Sequence, residues 1–348
     1  MIATDTKTDI RSLSLPQLQE QLVQAGEKAF RAKQVYEWLW QKSAHSFEEM
    51  TNLSKELRTW LIENYCINAI TIETTQRSND RTIKSAFKLY DGNIVEGVLI
   101  PTHDRMTACV SSQVGCSLTC KFCATGYMDR KRNLNADEIY DQVVLLARQA
   151  RQNYEIPLSN IVYMGMGEPL LNYANVMQSI ERITSPTGLG MSPQRITVST
   201  AGVAKMIKKM ADDGARFQLA LSLHAANDEK RNQIMPINES NNLEVLGESL
   251  AYWYEKTGSR VTFEYIVFNN FNDEIIDAHE LWLFGKKVPC KINLIEYNPI
   301  SNADFLNAKG DKIDAFRNFL EQKGMIVNVR RSRGKDIDAA CGQLANKH

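Results

Sequence analysis

The stretch CSLTCKFC, residues 116–123, places three cysteines within eight residues at the spacing C-x3-C-x2-C. Three thiolates on one tight loop can ligate three irons of a [4Fe–4S] cube and leave the fourth iron without a cysteine. A zinc ion would need four ligands, and no neighbouring cysteine or histidine completes such a set. We therefore predict that Cys116, Cys120 and Cys123 hold an iron–sulfur cluster with one open iron.

The sequence around this loop alternates strand and helix patterns from about residue 105 onward. Six apolar strands are each followed by an amphipathic helix, and a last strand follows at 325–330; the six strands are 106–112, 160–165, 195–200, 217–224, 260–268 and 290–299. Such alternation predicts a parallel sheet covered on both faces. Six units are fewer than the eight of a closed TIM barrel, so a partly open barrel and a doubly wound sheet both fit.

Polar and glycine residues follow these strands where each one ends. GMGEP (165–169) follows the second strand, Ser199 ends the third, Ser222 and His224 end the fourth, and Asn298 ends the sixth. The carboxyl ends of parallel strands meet at one rim, which is where such folds bind ligands. The cysteine loop follows the first strand, so we expect one site that combines all of these residues.

Two patterns precede the strand–helix units. Residues 1 to about 70 predict three short helices, which suit a DNA-reading helix-turn-helix, a packing module or an RNA-docking module equally. Residues 83–101 predict two strands joined by a turn at Asp91-Gly92. Glu96 lies in the second strand between apolar neighbours, where burial would make its carboxylate a stronger base. The alternative is a strand-edge glutamate paired with a lysine.

Composition and charge set broad limits. The 348 residues suggest about two domains, and 43% apolar and 24% charged residues are typical of a globular protein. Lys plus Arg equals Asp plus Glu at 41 each, which neither supports nor excludes a local basic RNA-binding face. The amino terminus has no apolar signal region and no apolar run is long enough for a membrane span, so we expect a cytoplasmic protein.

The seven cysteines also limit the interpretation. An odd number in a cytoplasmic chain argues against a disulfide framework. Cys66 and Cys290 are expected to be structural. Cys341 stands alone near the carboxyl terminus, and taken by itself it predicts only a small buried apolar side chain.

The cysteine spacing at the end of the first strand of a (β/α)6 chain resembles the radical S-adenosylmethionine (SAM) superfamily. The resemblance implies a partial, TIM-like (β/α)6 barrel and a [4Fe–4S] cluster whose open iron chelates SAM. Reduction then cleaves SAM to a 5′-deoxyadenosyl radical. GMGEP resembles the stretch that receives the SAM amino group. By resemblance, the SAM contacts are Gly167, Glu168, Ser199, Ser222, Leu223, His224 and Asn298.

Longer stretches at 109–126, 164–172, 222–238 and 334–344 resemble the RlmN/Cfr group of adenosine methyltransferases. The proline of GMGEP and the amino-terminal AFRAKQVYEWLW favour the RlmN side of this group. RlmN-like enzymes methylate C2 of an adenine in 23S rRNA, at the peptidyl transferase centre, and in some bacteria C2 of an adenine in the tRNA anticodon loop.

The same resemblance assigns the catalytic residues. Cys341 takes a methyl group from one SAM and becomes an S-methylcysteine, and a second SAM supplies the radical. Cys109 releases the product through a transient disulfide with Cys341, and Glu96 accepts the C2 proton, with the Cys109 thiolate as the alternative acceptor. The resemblance also implies an electron donor such as flavodoxin or ferredoxin, and we expect a monomer.

Four segments are expected: a helical RNA-docking domain at 1–75, a β-hairpin extension at 76–104, the radical SAM core at 105–330, and a carboxyl-terminal segment at 331–348 with Cys341. Three alternatives stay open. A Cfr-like enzyme would methylate C8 of the same adenine. A radical SAM enzyme of another type, such as a glycyl-radical activase, would not need Cys109 and Cys341. A non-catalytic iron–sulfur module would only bind nucleic acid.

Overall fold

The computed structural model describes residues 7–346. Within this range the helices are α1 (Leu15–Gln24), α2 (Phe30–Trp40), α3 (Lys55–Asn64), α4 (Ala136–Tyr154), α5 (Tyr173–Thr184), α6 (Ala204–Asp212), α7 (Asp228–Ile234), α8 (Leu243–Thr257), α9 (Ile275–Gly285) and α10 (Gly310–Gln322). The strands are β1 (Thr8–Asp9), β2 (Tyr65–Cys66), β3 (Thr71–Arg77), β4 (Ile83–Lys88), β5 (Ile94–Pro101), β6 (Met106–Cys109), β7 (Gln113–Val114), β8 (Arg132–Asn133), β9 (Asn160–Tyr163), β10 (Ile196–Thr200), β11 (Gln218–Ser222), β12 (Val261–Ile266), β13 (Cys290–Ile295) and β14 (Val327–Arg330).

Ten of the strands form one sheet in the order β14-β13-β12-β11-β10-β9-β6-β5-β4-β3. From β6 to β14 neighbouring strands are parallel, and β3 to β6 are antiparallel. The free side of β6 pairs with β5 instead of with β14, so the parallel strands form an open barrel. The predicted partial barrel of the radical SAM type is confirmed.

The parallel register brings the strand ends to one level. Cys109 pairs with Val162, Ser199 with Ala220, and Ser222 with Glu264. Helices α4 to α6 and α8 to α10 come after the parallel strands along the chain. Each presents apolar residues at helical spacing to the sheet. Asn135 forms a capping box at the start of α4, and Ser54 caps the amino end of α3.

The elements that were not predicted include strand β3, helix α7 and the two-residue strands β1, β2, β7 and β8. Strand β3 extends the predicted hairpin to three antiparallel strands, and it crosses residue 75, the expected end of the amino-terminal domain. Its residues TIETTQR are mostly exposed, so they carry little apolar alternation. Helix α7 lies in a stretch interpreted as loop, because seven residues are too few to show a helical period.

The amino-terminal helices pack against α4. The Tyr140 hydroxyl donates to the Trp40 carbonyl, and the two rings lie edge-to-face at 5.2 Å. Arg11 is buried beside them and contacts Asp137 at 2.9 Å and Asp141 at 2.8 Å. Among residues 7–346, no helix has both the length and the apolar composition that a membrane span requires.

Candidate active site

The three cysteines of the 116–123 loop line one cavity of about 160 Å³, which also contacts Glu168, Asn298 and Cys341. We call it the cluster cavity. The loop is fixed at both ends, because Cys116 N–H donates to the Met128 carbonyl at 3.3 Å and Ala124 N–H donates to the Gly342 carbonyl at 2.6 Å. The spacing therefore places three thiols on one wall, as the sequence predicted.

The electrostatics of these thiols suit a cationic cluster. Burial raises the pKa of Cys116 to about 11 and also raises the pKa values of Cys120 and Cys123. For Cys120, the proximity of the other two sulfurs raises the pKa further. Iron ions would offset both effects by stabilising the thiolates, so the donor set fits a [4Fe–4S] cluster. Among the described side chains, no three from His, Cys, Asp and Glu are grouped to hold a single metal ion.

Gly167 and Glu168 line the same cavity and follow β9. Gly167 has φ +93°, and a Cβ there would lie 2.5 Å from the Gln113 Cβ, so glycine is required. Glu168 is buried, and its carboxylate accepts N–H groups from Leu170 at 3.0 Å and Ala201 at 2.8 Å. Burial raises the pKa of Glu168. A buried carboxylate held by two N–H donors suits an ammonium ligand.

Four other predicted residues line the same cavity. The hydroxyls of Ser199 and Ser222 lie 3.4 Å apart on adjacent strands. His224 is buried with φ +56°, and its Nδ1 accepts the Ile266 N–H at 3.1 Å. Burial lowers the pKa of His224 to about 3, so its imidazole is neutral at pH 7. The Asn298 Oδ1 is buried without a hydrogen-bond partner, which makes it an acceptor available to a ligand.

Leu223 is placed differently. Its side chain is buried, and Leu223 is not among the described residues that line the cluster cavity. Its backbone is occupied as well, since its N–H donates to the Glu264 carbonyl at 3.0 Å and its carbonyl accepts the Arg231 Nε at 3.1 Å. Leu223 therefore has a direct contact with a ligand only if this backbone moves.

Cys109 and Cys341 share a second cavity of about 120 Å³, lined also by Arg330, Arg331 and Arg333. We call it the thiol cavity. Cys109 is buried at the end of β6, whereas Cys341 is exposed and lines both cavities. The surrounding protein atoms desolvate both sulfurs, which raises the pKa of each thiol, whereas the charge of Arg330 lowers both pKa values. Residues 232 positions apart are thus brought to one chamber next to the cluster loop.

The carboxyl-terminal segment is held across the barrel mouth by hydrogen bonds at Cys341 and at two of the residues that follow it. Asn298 Nδ2 donates to the Cys341 carbonyl at 3.1 Å. Gln343 Nε2 donates to the Pro299 carbonyl at 3.1 Å, and the Thr125 hydroxyl donates to the Leu344 carbonyl at 2.7 Å. These contacts tie the segment to the cluster loop and to the loop after β13.

Glu96 is fully buried on β5, but it does not line either cavity. Its Oε1 lies 3.1 Å from Nζ of Lys84, whose side chain is 4% exposed. Its Oε2 accepts backbone N–H groups from Ala345 at 2.9 Å and Asn346 at 3.0 Å. Glu96 is thus both buried and paired with a lysine, the two alternatives considered from the sequence. It lies against residues 345–346 of the carboxyl-terminal segment.

Three functional candidates were missed from the sequence. Glu264 lines the cluster cavity, accepts Asn293 Nδ2 at 2.8 Å and lies 3.5 Å from the Arg330 guanidinium. Arg231 is fully buried and donates to the Ala201 carbonyl at 2.6 Å, joining the ends of β10 and β11. For Glu264, the sequence feature that could have indicated a role was a carboxylate within the apolar strand 260–268. For Arg231 and Arg330, the sequence offered no such feature beyond their positive charge.

Two known families match separate parts of the chain. Residues 8–67 match the family described as Ribosomal RNA large subunit methyltransferase N-terminal domain, and residues 110–283 match the Radical SAM superfamily. "Probable dual-specificity RNA methyltransferase RlmN" of Cytophaga hutchinsonii is 65% identical over 341 residues, covering 98% of this chain and 93% of that protein. The chain belongs to the RlmN family.

Further relatives agree with this assignment. The RlmN protein of Christiangramia forsetii, with the same description, is 61% identical and covers 99% of this chain and 97% of that protein. A radical SAM methyltransferase of Sphaerobacter thermophilus has a solved structure with a TM-score of 0.92, at 38% identity, 98% coverage of this chain and 100% of that chain. As an RlmN family member, the chain is a radical SAM RNA methyltransferase with a [4Fe–4S] cluster and SAM as cofactors.

Proposed function

We propose that this chain methylates C2 of one adenine in 23S rRNA, at the peptidyl transferase centre, and C2 of an adenine in the tRNA anticodon loop. The observation that carries the proposal is the thiol cavity, in which Cys109 and Cys341 meet beside the cluster loop. The relatives are described as dual-specificity RNA methyltransferases, which supports the proposal of two kinds of RNA substrate.

The chemistry of the target explains why two thiols and a radical are needed. Carbon 2 of adenine lies between two ring nitrogens and is electron-poor, so it does not attack the electrophilic methyl of SAM. When bound, the cluster and SAM supply a radical that can remove a hydrogen atom. A methyl group held on the protein, close to both the radical source and the RNA base, resolves this difficulty.

Cys341 is suited to carry that methyl group, because it lines both cavities. Its sulfur takes the methyl from SAM by displacement, and Arg330 favours the thiolate that this step needs. After the methylene carbon has bonded to C2, the adduct loses the C2 proton to the base and one electron, which would return to the oxidised cluster. The Cys109 thiolate then attacks the Cys341 sulfur, so that the S–S bond forms as the bond between the Cys341 sulfur and the methylene carbon breaks. The released carbon keeps the electron pair and takes up a proton, which completes the methyl group on the RNA.

Glu96 is our proposed acceptor of the C2 proton. Its Oε1 lies 3.1 Å from the Lys84 ammonium, which has to release this oxygen before it takes up a proton. Its Oε2 is held by the 345–346 backbone, so access to the base requires movement of the carboxyl-terminal segment. We further propose that Gly167, Glu168, Ser199, Ser222, Leu223, His224 and Asn298 bind SAM.

Mass analysis of digested 23S rRNA after reaction with the reconstituted enzyme tests the proposal. We expect 2-methyladenosine, and Cys341→Ser should yield none. Formation of 8-methyladenosine instead would show Cfr-like regioselectivity. A protein that binds RNA but never cleaves SAM under reducing conditions would be a non-catalytic iron–sulfur module.

The cell compartment and the electron source belong to the same proposal. The RNA substrates would place the enzyme in the cytoplasm, with flavodoxin or ferredoxin as the electron donor. Reduced flavodoxin supplied with its reductase should support turnover at a rate comparable to that with dithionite. If only dithionite works, this choice of donor is wrong.

A further inference from the structure

Arg231 on α7 is fully buried, and its guanidinium donates to uncharged acceptors. Nε donates to the Leu223 carbonyl at 3.1 Å, Nη1 to the Asn238 Oδ1 at 2.6 Å, and Nη2 to the carbonyls of Ala201 at 2.6 Å and Ser222 at 3.3 Å. In the described part of the chain, this guanidinium has no ion pair with a carboxylate. Its positive charge is therefore held inside the protein by neutral groups.

A buried charge is unfavourable unless a charge of the opposite sign lies beside it. The carboxylate that acts on Arg231 belongs to Asp228, which is exposed. It reaches the guanidinium through the Asn238 side chain, whose Nδ2 donates to the Asp228 Oδ1 at 2.8 Å. The cation thus lacks a direct counter-charge among the described side chains, and an anion bound nearby would offset the unfavourable free energy of its burial.

The cluster loop lies against the carboxyl end of α7. The Lys121 N–H donates to the Ile234 carbonyl at 3.0 Å, and Cys120 packs against the buried side-chain group that includes Ile234. Burial lowers the pKa of Arg231 to about 10, and a thiolate at Cys120 acts against this effect more strongly than Asp228 does. The cation therefore lies close to the cluster loop, although Arg231 is not among the described residues that line the cluster cavity.

We propose that Arg231 is the counter-charge of the [4Fe–4S] cluster and raises its reduction potential. Together with three thiolates, the cationic core forms a net anion, which becomes more negative when it takes up an electron. A fixed cation close to Cys120 therefore stabilises the reduced cluster more than the oxidised cluster. One electron passes from the donor protein, which is oxidised, to the cluster, which is reduced, and no bond forms or breaks in this step.

Arg231 also has a structural role, because its hydrogen bonds join the ends of β10 and β11. The Ala201 carbonyl accepts from Arg231, while the Ala201 N–H donates to the Glu168 carboxylate at 2.8 Å. Loss of the guanidinium would therefore loosen the backbone that holds Glu168. A test of the proposal has to separate the charge of Arg231 from its hydrogen bonds.

Two variants change the charge near the cluster, and two serve as controls. Arg231→Gln removes the charge and keeps an N–H donor. The exchange variant, Asn238→Asp/Asp228→Asn, leaves Arg231 in place and brings a carboxylate into direct contact with it at constant net charge. Arg231→Lys keeps the cation but not the arrangement of hydrogen bonds. Lys230→Gln removes the same charge one residue earlier on α7, where the ammonium is paired with Asp277 on α9.

Each reconstituted holoenzyme is poised at a fixed ambient potential without SAM or RNA, and the electron paramagnetic resonance signal of the reduced cluster is measured. We expect the ratio of reduced to oxidised cluster to fall about tenfold in Arg231→Gln and in the exchange variant, because both remove an uncompensated cation from a site of low dielectric constant. For a one-electron couple, a tenfold fall corresponds to a potential lower by about 59 mV. Arg231→Lys and Lys230→Gln should stay close to the wild type. Iron content and thermal unfolding check the folding of each variant.

A wild-type ratio in both charge variants would overturn the proposal. An equal fall in Arg231→Lys would also overturn it, by assigning the effect to hydrogen bonding, and an equal fall in Lys230→Gln would do so by assigning it to net charge. If Arg231→Gln does not retain the cluster, the exchange variant decides alone, because it changes no side-chain size. The measurement involves neither SAM cleavage nor RNA, so failure of the proposed C2 methylation would leave it unaffected.

Discussion

Glu96 and Asn346 are joined by a 3.0 Å hydrogen bond from the Asn346 N–H to the Glu96 Oε2, across 250 positions of sequence. Asn346 Nδ2 also donates to the Ile94 carbonyl at 2.8 Å, so the end of the described chain is pinned to β5. Cys341 lies five residues before this anchor. The strand that carries the proposed base is therefore hydrogen-bonded to the segment that carries the proposed methyl carrier.

Glu96→Gln should stop the reaction after the RNA has become bonded to Cys341, because the C2 proton then lacks its acceptor. We expect turnover to fall by about 100-fold to 10 000-fold, the usual contribution of a general base. Denaturing electrophoresis with labelled RNA would show the accumulated protein–RNA adduct. Glu73→Gln, on the surface of β3 in the same sheet, is the control and should turn over normally.

This variant also separates the two roles that the structure allows for Glu96. If it acts as the base, methylation of Cys341 proceeds before the block. If it acts only as the anchor of the carboxyl-terminal segment, methylation of Cys341 and transfer to RNA fall together, and no adduct collects. Normal turnover would remove Glu96 from the scheme.

Local sequence patterns were sufficient for the cluster loop and for the strand ends. The spacing of Cys116, Cys120 and Cys123 is a property of eight residues, and the strand-end position of Glu168, Ser199 or Asn298 follows from the βα alternation. The parallel sheet then brings these residues to one rim without further information. The open barrel was one of two fold alternatives until the resemblance favoured it.

Contacts between distant segments could not be predicted in this way. The Glu264–Arg330 pair joins residues 66 positions apart, and nothing in either strand indicates its partner. The contact of Glu96 with the 345–346 backbone uses N–H groups that every residue has. The meeting of Cys109 with Cys341 was expected only from family resemblance, since two isolated cysteines carry no spacing signal.

Cys341→Ser should still cleave SAM and should transfer no methyl group to RNA, because a serine hydroxyl is a poor nucleophile towards SAM at neutral pH. The measurement pairs 5′-deoxyadenosine formation with methyladenosine in digested RNA. Cys66→Ser provides the control: the Cys66 thiol is half-buried, donates to the Lys7 carbonyl at 3.1 Å and lies outside both cavities. Methylated RNA from the Cys341 variant would restore the interpretation of this cysteine as a packing residue.

Cys109→Ala should allow the bond between Cys341 and RNA to form but should prevent its resolution. We expect the covalent adduct to accumulate in a single turnover, detected as a slow-migrating band that RNase converts to protein with a nucleotide mass. Cys290→Ala changes another buried thiol that lines neither cavity, and it should turn over normally. Multiple turnovers without adduct in the Cys109 variant would exclude the resolving role.

The stability of the folded chain should depend on pH through Asp137. Three carboxylates, on Asp9, Asp137 and Asp141, surround the single buried guanidinium of Arg11. Burial is the largest cause that raises the pKa of Asp137 to about 7, from 3.8, and Asp9 and Asp141 raise it further against the lowering effect of Arg11. A group whose pKa is higher in the folded state takes up a proton on folding between these two values.

The free energy of unfolding should therefore fall as pH rises from about 4 to about 7, by at most about 1.4 kcal/mol per pH unit, and this dependence should end above about pH 8. Asp137→Asn removes the titrating group and should flatten the dependence. Denaturant midpoints followed by tryptophan fluorescence would measure it, with the exposed Asp104→Asn as the control. An unchanged slope in the Asp137 variant would mean that this carboxyl is ionised throughout the range, with Arg11 outweighing its burial.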